Sequence, residues 1–161
     1  MIIKRKSIKA IIFDLDGTLI DSDQDILKII NFIRFNYLNK KKVQINKIAN
    51  YTAKGGNDLI KKTISKNKTK IYLNLFRDLY KNQKIRKSLV QPGVIKFFKF
   101  LKSKNIKIYI CTNKPKFLTA RIVQKTYLRK YINKFFCSDE YKFKKPDKRF
   151  FSIILKEIKV N

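Results

Sequence analysis

Residues 8–22 read IKAIIFDLDGTLIDS, and this stretch decides the fold and the chemistry that the sequence indicates. Its first part, residues 8–13, is short, apolar and rich in β-branched side chains, which predicts a strand buried on both faces in a parallel sheet. Gly17 then ends the strand. Asp14 and Asp16 therefore follow the carboxyl end of a buried strand, where open α/β sheets bind their ligands.

Five of the eleven acidic residues fall within residues 14–25. Asp21, Asp23 and Asp25 are typical of a helix N-terminus, where the helix dipole favours acids. Asp14 and Asp16 could be turn formers, but two like charges this close repel unless a cation or proton lies between them. Their spacing suits a Mg²⁺ site in which one carboxylate is also free to attack phosphorus.

The net charge of +29 in 161 residues raises the alternative of a nucleic-acid-binding module. An A/T-rich coding sequence is another explanation of this charge, because it raises the number of lysines without any functional need. Lys, Ile and Asn, which have A/T-rich codons, number 33, 25 and 13, against only 4 Ala. Arg, which makes the bidentate contacts to phosphates and bases, occurs only 7 times. The basic residues are also spread along the chain, so we expect no specific nucleic-acid partner.

Other classes of function are disfavoured by what the sequence lacks. There is no run of eighteen apolar residues, and the N-terminal residues resemble no signal peptide, so we expect a cytoplasmic protein with no membrane partner. The chain has no His, and Cys111 and Cys137 belong to no CxxC pair. This excludes a Cys/His zinc cluster and a Ser–His or Cys–His nucleophile pair.

The hydrophobic periodicity predicts an α/β fold with a parallel sheet. Strands alternate with helices except between residue 23 and about residue 88, where every predicted element is helical, so a helical cap inserted after the first strand is expected. Helices are predicted at about 25–38, 57–66, 69–84, 94–104, 115–128 and from 147, and further strands at 106–111 and near 135–137.

Residues 14–22, DLDGTLIDS, resemble the first motif of the haloacid dehalogenase (HAD) superfamily, in its phosphoglycolate phosphatase-like branch. The resemblance extends over essentially the whole chain. It implies a HAD-like Rossmannoid core made of residues 1–22 and 89–161, with residues 23–88 as the helical cap. It also implies a small phosphorylated metabolite as substrate and Mg²⁺ as cofactor.

The same resemblance supplies roles for further residues. Thr112 and the backbone of Asn113 match the second motif and would hold the phosphoryl oxygens, although an ordinary helix N-cap explains them equally well. Lys145 matches the Lys of the third motif and would neutralise charge at the reacting phosphate, where a solvated loop lysine is the alternative. Gly17 and Thr18 of the first motif are expected to bind substrate.

The mechanism that the resemblance implies needs no His. Asp14 would attack phosphorus, and Asp16 would protonate the leaving group and then activate water. Mg²⁺ would be held by the Asp14 carboxylate and the Asp16 backbone carbonyl. A sugar-phosphate mutase would use the same motifs, so the two reactions are not distinguished here.

One departure concerns the family's fourth motif, an acidic metal-binding segment on the next strand. The sequence ends at Asn161, roughly where that strand is expected to begin. We therefore expect weaker Mg²⁺ binding and an open sheet edge at the first strand that favours self-association. An inactive, C-terminally truncated fragment is the alternative to an active enzyme.

Overall fold

The protein is described by a computed structural model, which covers residues 8–52, 55–85 and 89–159. Three parallel strands form one sheet in the order β1-β2-β3: β1 is Ala10–Phe13, β2 is Lys107–Thr112 and β3 is Lys134–Cys137. The α/β class and the parallel sheet are thus confirmed. All three strands point the same way, so the residues that follow them meet at one edge of the sheet.

Seven α-helices complete the described part of the chain. Five lie between β1 and β2: α1 is Asp23–Leu38, α2 is Asn46–Thr52, α3 is Gly56–Thr63, α4 is Thr69–Asn82 and α5 is Val94–Ser103. The other two are α6, Lys116–Lys125, which follows β2, and α7, Lys148–Ile158, which follows β3. None of these helices is long and apolar enough to cross a bilayer.

The helical segment α1–α4 matches the predicted stretch except for α2, which the sequence analysis missed. Among the side chains of residues 46–52 that the structure describes, Ile48 alone is fully buried, so this segment has no periodic apolar stripe. The division of the chain into a core at 1–22 and 89–161 and a cap at 23–88 remains a prediction. Within these ranges, residues 1–7, 53–54, 86–88 and 160–161 lie outside the described residues.

The first strand differs from its prediction. All four residues of β1 are only half-buried, so the expectation of a strand buried on both faces was wrong. The reason is its position: among the described strands, β1 pairs only with β2, from Ala10 opposite Lys107 to Phe13 opposite Ile110. The central strand β2 has the expected character, because every residue after Lys107 is buried. Self-association through the β1 edge remains a prediction.

Phe98 shows how α5 fixes the sheet. Its ring is fully buried and lies 5.4 Å from the Phe13 ring and 5.9 Å from the Tyr131 ring, measured between centroids. Because aromatic side chains bury large apolar areas, the contact between Phe98 and Phe13 stabilises the packing of α5 on β1, the strand that precedes Asp14.

Replacing Phe98 by Ala is expected to lower the free energy of unfolding by about 3–5 kcal/mol, because it leaves a cavity in the core. Phe100 on the same helix is 52% exposed, and Phe100→Ala is expected to cost about 1 kcal/mol or less. Urea unfolding of both variants and the unaltered chain measures the difference. Equal losses for the two substitutions would contradict this packing.

Candidate active site

The loop after β1 turns sharply and presents two carboxylates. The N–H of Gly17 donates to the Ile20 carbonyl at 2.8 Å, and Gly17 has a φ of 77°, a conformation that favours glycine. Leu15 points into the core and is fully buried. With the intervening side chain turned inward, Asp14 and Asp16 both lie on the outer side of this loop.

Asp14 forms an ion pair with a lysine from a distant part of the chain. Its Oδ1 accepts from the Leu15 N–H at 2.7 Å and lies 2.6 Å from Lys145 Nζ. Lys145 belongs to the loop between β3 and α7, and Asn113 holds this loop in place: its amide donates to the Lys145 carbonyl and its Oδ1 accepts from the Lys145 N–H. Asn113 therefore positions Lys145 through side-chain contacts that the sequence did not predict.

Asp16 is paired with a second lysine. Its Oδ1 accepts from the Ser22 hydroxyl at 2.6 Å and lies 3.2 Å from Lys114 Nζ. Ser22 is the N-cap residue of α1, but its side chain makes no cap hydrogen bond because it binds Asp16 instead. Asp23 and Asp25 occupy the first turn of α1, which confirms their predicted place at a helix N-terminus.

Lys114 was missed by sequence analysis, because one lysine among 33 attracts no notice. Its side chain is only 9% exposed, and its Nζ lies 4.5 Å from the centroid of the Tyr80 ring. Burial alone lowers the pKa of a lysine, but the neighbouring Asp16 and Tyr80 outweigh it, so the pKa of Lys114 lies above its usual value. Lys114 therefore carries a buried positive charge next to Asp16.

A small cavity gathers the residues of the first two motifs. It is lined by Asp14, Asp16, Thr52, Thr112, Asn113 and Lys114. Thr112 ends β2 and is buried, and its Oγ1 accepts from the Lys114 N–H at 3.1 Å. The structure thus brings Asp14, Asp16, Thr112 and Asn113 together, with Lys145 bound to Asp14.

Gly17 and Thr18 are not brought to this cavity. The Gly17 N–H is used within the turn, and both residues are exposed and absent from the cavity lining. The geometry therefore gives Gly17 a role in shaping the loop, and offers no support for substrate binding by either residue.

The oxygen atoms around Asp14 and Asp16 are candidate ligands of Mg²⁺. No group of three or more His, Cys, Asp or Glu side chains suited to a metal occurs among the described residues. However, Mg²⁺ often binds through one or two carboxylates, water and substrate phosphate. Within the described chain, no hydrogen bond ends on the Asp16 carbonyl oxygen, and Asp14 Oδ2 is likewise unpaired. These two oxygens fit the predicted pair of protein ligands.

A second cavity adjoins the first and extends towards the helical segment. Asp16, Thr52, Asn113 and Lys114 line both cavities. The second one has a volume of about 60 Å³ and is otherwise lined by Ile26, Gly55, Gly56, Leu59, Leu73, Phe76, Arg77, Pro115 and Leu118. Its two cations are Lys114 and Arg77. Arg77 has no ion-pair partner among the described residues.

Cys111 is the last residue but one of β2, Cys137 ends the neighbouring strand β3, and both are free thiols. Burial raises the pKa of Cys111 to about 11 and that of Cys137 to about 12. Neither group is therefore an activated nucleophile, since that role needs a thiolate.

This burial predicts slow labelling of both thiols. At pH 8 we expect a disulfide reagent such as Ellman's reagent to leave them largely unreacted in the folded protein, because they are protonated and inaccessible. Addition of guanidinium chloride is expected to release both at once. Rapid labelling of either thiol without denaturant would contradict the placement of β2 and β3.

Comparison with known proteins agrees with this geometry. The family model for haloacid dehalogenase-like hydrolases matches residues 8–161, and the chain therefore belongs to that family. A phosphoglycolate phosphatase of Agrobacterium fabrum is 27% identical over 145 residues, which cover 86% of this chain and 62% of the relative. The chain thus spans less than two thirds of the length of that curated relative.

Solved structures support the same fold. A predicted phosphoglycolate phosphatase of Haemophilus somnus superposes with a TM-score of 0.80 at 20% identity, covering 95% of this chain and 72% of the other. A putative β-phosphoglucomutase of Thermotoga maritima does so with a TM-score of 0.66 at 22% identity, covering 96% and 72%. At these identities the likeness concerns the fold alone, and the HAD-like architecture is thereby confirmed.

Proposed function

We propose that this protein is a Mg²⁺-dependent phosphomonoesterase that acts on a small phosphorylated metabolite resembling phosphoglycolate. The observation that carries the proposal is the pairing of Asp14 with Lys145 at 2.6 Å beside a cavity that Thr112 and Asp16 also line. A carboxylate nucleophile, a point cation, a hydroxyl and a second carboxylate can together carry out phosphoryl transfer through a covalent intermediate.

In the first step, an Asp14 carboxylate oxygen attacks phosphorus and forms an aspartyl-phosphate. The bond between phosphorus and the ester oxygen breaks, and Asp16 in its acid form gives a proton to that departing oxygen. Lys145 offsets the negative charge shared by Asp14 and the transferring group, since it already lies beside Asp14. Thr112 donates its hydroxyl to a phosphoryl oxygen.

In the second step, the Asp16 carboxylate takes a proton from water, and the resulting hydroxide attacks phosphorus. The bond between phosphorus and Asp14 breaks, inorganic phosphate leaves, and both carboxyl groups return to their starting states. Mg²⁺, held by the Asp14 carboxylate and the Asp16 carbonyl, supplies charge neutralisation when bound. We place this activity in the reducing cytoplasm, where free thiols such as those of Cys111 and Cys137 stay reduced.

The second cavity indicates the kind of leaving group. This cavity is small, about 60 Å³, and partly open to solvent, so it favours a small leaving group and lets part of a larger one protrude. Arg77 is half-buried at its wall and is free of a protein carboxylate among the described residues, so it is suited to a carboxylate on the substrate. A two-carbon acid such as that of phosphoglycolate satisfies both conditions.

The phosphatase assignment predicts release of p-nitrophenolate from p-nitrophenyl phosphate in the presence of Mg²⁺. Asp14→Asn removes the nucleophile and is expected to abolish turnover, as is removal of the metal by EDTA. Lys145→Met is expected to lower kcat by about 10²–10³-fold, because it removes charge stabilisation at the reacting phosphate. Absorbance at the nitrophenolate maximum measures all of these rates.

The matched control is Lys144→Met, since Lys144 is exposed and lies next to Lys145 in the chain. This substitution is expected to leave turnover unchanged. A rate that Asp14→Asn leaves intact, or that does not depend on Mg²⁺, would show that the activity arises elsewhere and overturn the assignment.

Arg77 provides a test of the substrate class. Arg77→Met is expected to raise KM for phosphoglycolate about 10–100-fold, through loss of a bidentate contact to the carboxylate, and to leave KM for ethyl phosphate nearly unchanged. Lys81→Met on the same helix is the control, because Lys81 is exposed and away from the cavity. A parallel rise in KM for both substrates would exclude a carboxylate contact by Arg77.

A further inference from the structure

We propose that Lys114 is a positioning residue that links the general acid–base Asp16 to helix α4 through Tyr80. The inference rests on the proposed function and adds a second functional lysine to Lys145. Its basis is one side chain that touches both partners: Lys114 Nζ is 3.2 Å from Asp16 Oδ1 and 4.5 Å from the Tyr80 ring centroid.

The burial of Lys114 requires an explanation. The side chain is 9% exposed, and transferring an ammonium group from water to such a place is costly unless partners compensate. Asp16 supplies an opposite charge and Tyr80 supplies the face of an aromatic ring, which attracts cations. An apolar side chain of similar length would fill the same space without this cost, so the charge indicates a functional contact.

The two partners of Lys114 come from separate parts of the chain. Asp16 follows β1, whereas Tyr80 belongs to α4, is buried, and packs against Phe76 at 5.8 Å between ring centroids. Lys114 itself precedes α6 and is fixed through its N–H to Thr112 Oγ1. If α4 moves away, Lys114 loses the ring, becomes hydrated and holds Asp16 less firmly. The position of α4 therefore controls the position of the Asp16 carboxylate.

The contact between Lys114 and Asp16 also determines which carboxylate oxygen of Asp16 transfers protons. Lys114 and Ser22 both donate to Oδ1. Within the described residues Oδ2 has no partner, so it is the oxygen that exchanges a proton with the leaving group and then with water. When Lys114 is absent, the carboxylate can rotate about its χ angles, and the proton is delivered from a poorer position.

Two substrates with different leaving groups distinguish a loss of proton transfer by Asp16 from a general loss of activity. Nitrophenolate departs without a proton, whereas the alkoxide of phosphoglycolate needs one from Asp16. Because kcat/KM reports events only up to the first irreversible step, it isolates the transfer to Asp14. Lys114→Met is expected to lower kcat/KM for phosphoglycolate about 10–100-fold, and to lower it for p-nitrophenyl phosphate less than about 3-fold.

The same variant has a second signature in rapid-mixing experiments. Activation of water also depends on Asp16, so Lys114→Met is expected to release a burst of nitrophenolate equal to the enzyme concentration, followed by slow turnover. Lys114→Arg keeps a cation that stacks on aromatic rings and is expected to restore part of the lost activity. This rescue identifies the charge, and not merely the packing, as the functional element.

The link to α4 is tested at Tyr80. Tyr80→Leu removes both the ring and the hydroxyl and is expected to reproduce the selective loss on phosphoglycolate. Tyr80→Phe keeps the ring but loses the hydroxyl that also contacts Lys114, and is expected to show a smaller loss. The double variant of Lys114→Met with Tyr80→Leu should be no worse than Lys114→Met alone, because the two residues act through one contact.

Two control variants accompany these measurements. Lys116→Met removes another ion pair near the same loop, that of Lys116 with Glu140, and Tyr72→Leu removes another buried tyrosine of α4. Both are expected to leave the ratio of kcat/KM values for the two substrates unchanged. Circular dichroism establishes that each variant is folded. If Lys114→Met is not folded, Lys114→Arg is used in its place.

Three results would overturn the inference while leaving the phosphatase assignment intact. They are equal losses on both substrates without a burst, multiplicative losses in the double variant, and a Lys114→Arg variant no better than Lys114→Met. A wild-type chain that turns over neither substrate would instead overturn the proposed function itself, and this inference with it.

Discussion

Two carboxylates two residues apart impose the central constraint on this molecule. Each has a lysine within ion-pair distance: Lys145 lies 2.6 Å from Asp14, and Lys114 lies 3.2 Å from Asp16. Without these cations the two acids would repel each other at the end of β1. Both lysines are largely buried, so the ion pairs are screened less than exposed ones are. They hold the acids in place for the proposed reaction.

The fold supplies these cations through the order of its strands. Because β1 and β2 are neighbours, Thr112 at the end of β2 and Lys114 in the following loop lie next to Asp16. Lys145 comes from the loop after β3, which is two strands away from β1. It reaches Asp14 because the Asn113 side chain forms hydrogen bonds with both the N–H and the carbonyl of Lys145. A single asparagine on the central loop thus connects the contributions of all three strands. The arrangement explains why the site forms where parallel strands end.

Much of the site followed from local sequence, and the remainder depends on tertiary contacts. The IKAIIFDLDGTLIDS stretch at residues 8–22 indicated the strand, the turn and both acids, since turn chemistry and hydrophobic pattern are local properties. Lys114 could not be selected among 33 lysines, because its burial depends on Tyr80 from a helix that no local pattern places there. The burial of β1 was likewise overestimated, as it depends on which strands flank it.

The account is tested most directly by identifying the residue that becomes phosphorylated. The protein is incubated with excess phosphorylated substrate and Mg²⁺, quenched in acid and reduced with borohydride, which converts an aspartyl-phosphate to homoserine. Peptide mass spectrometry then locates the change. The account predicts homoserine at position 14, absent when Mg²⁺ is omitted. Substrate consumption with homoserine at another position, or with none anywhere, would contradict it.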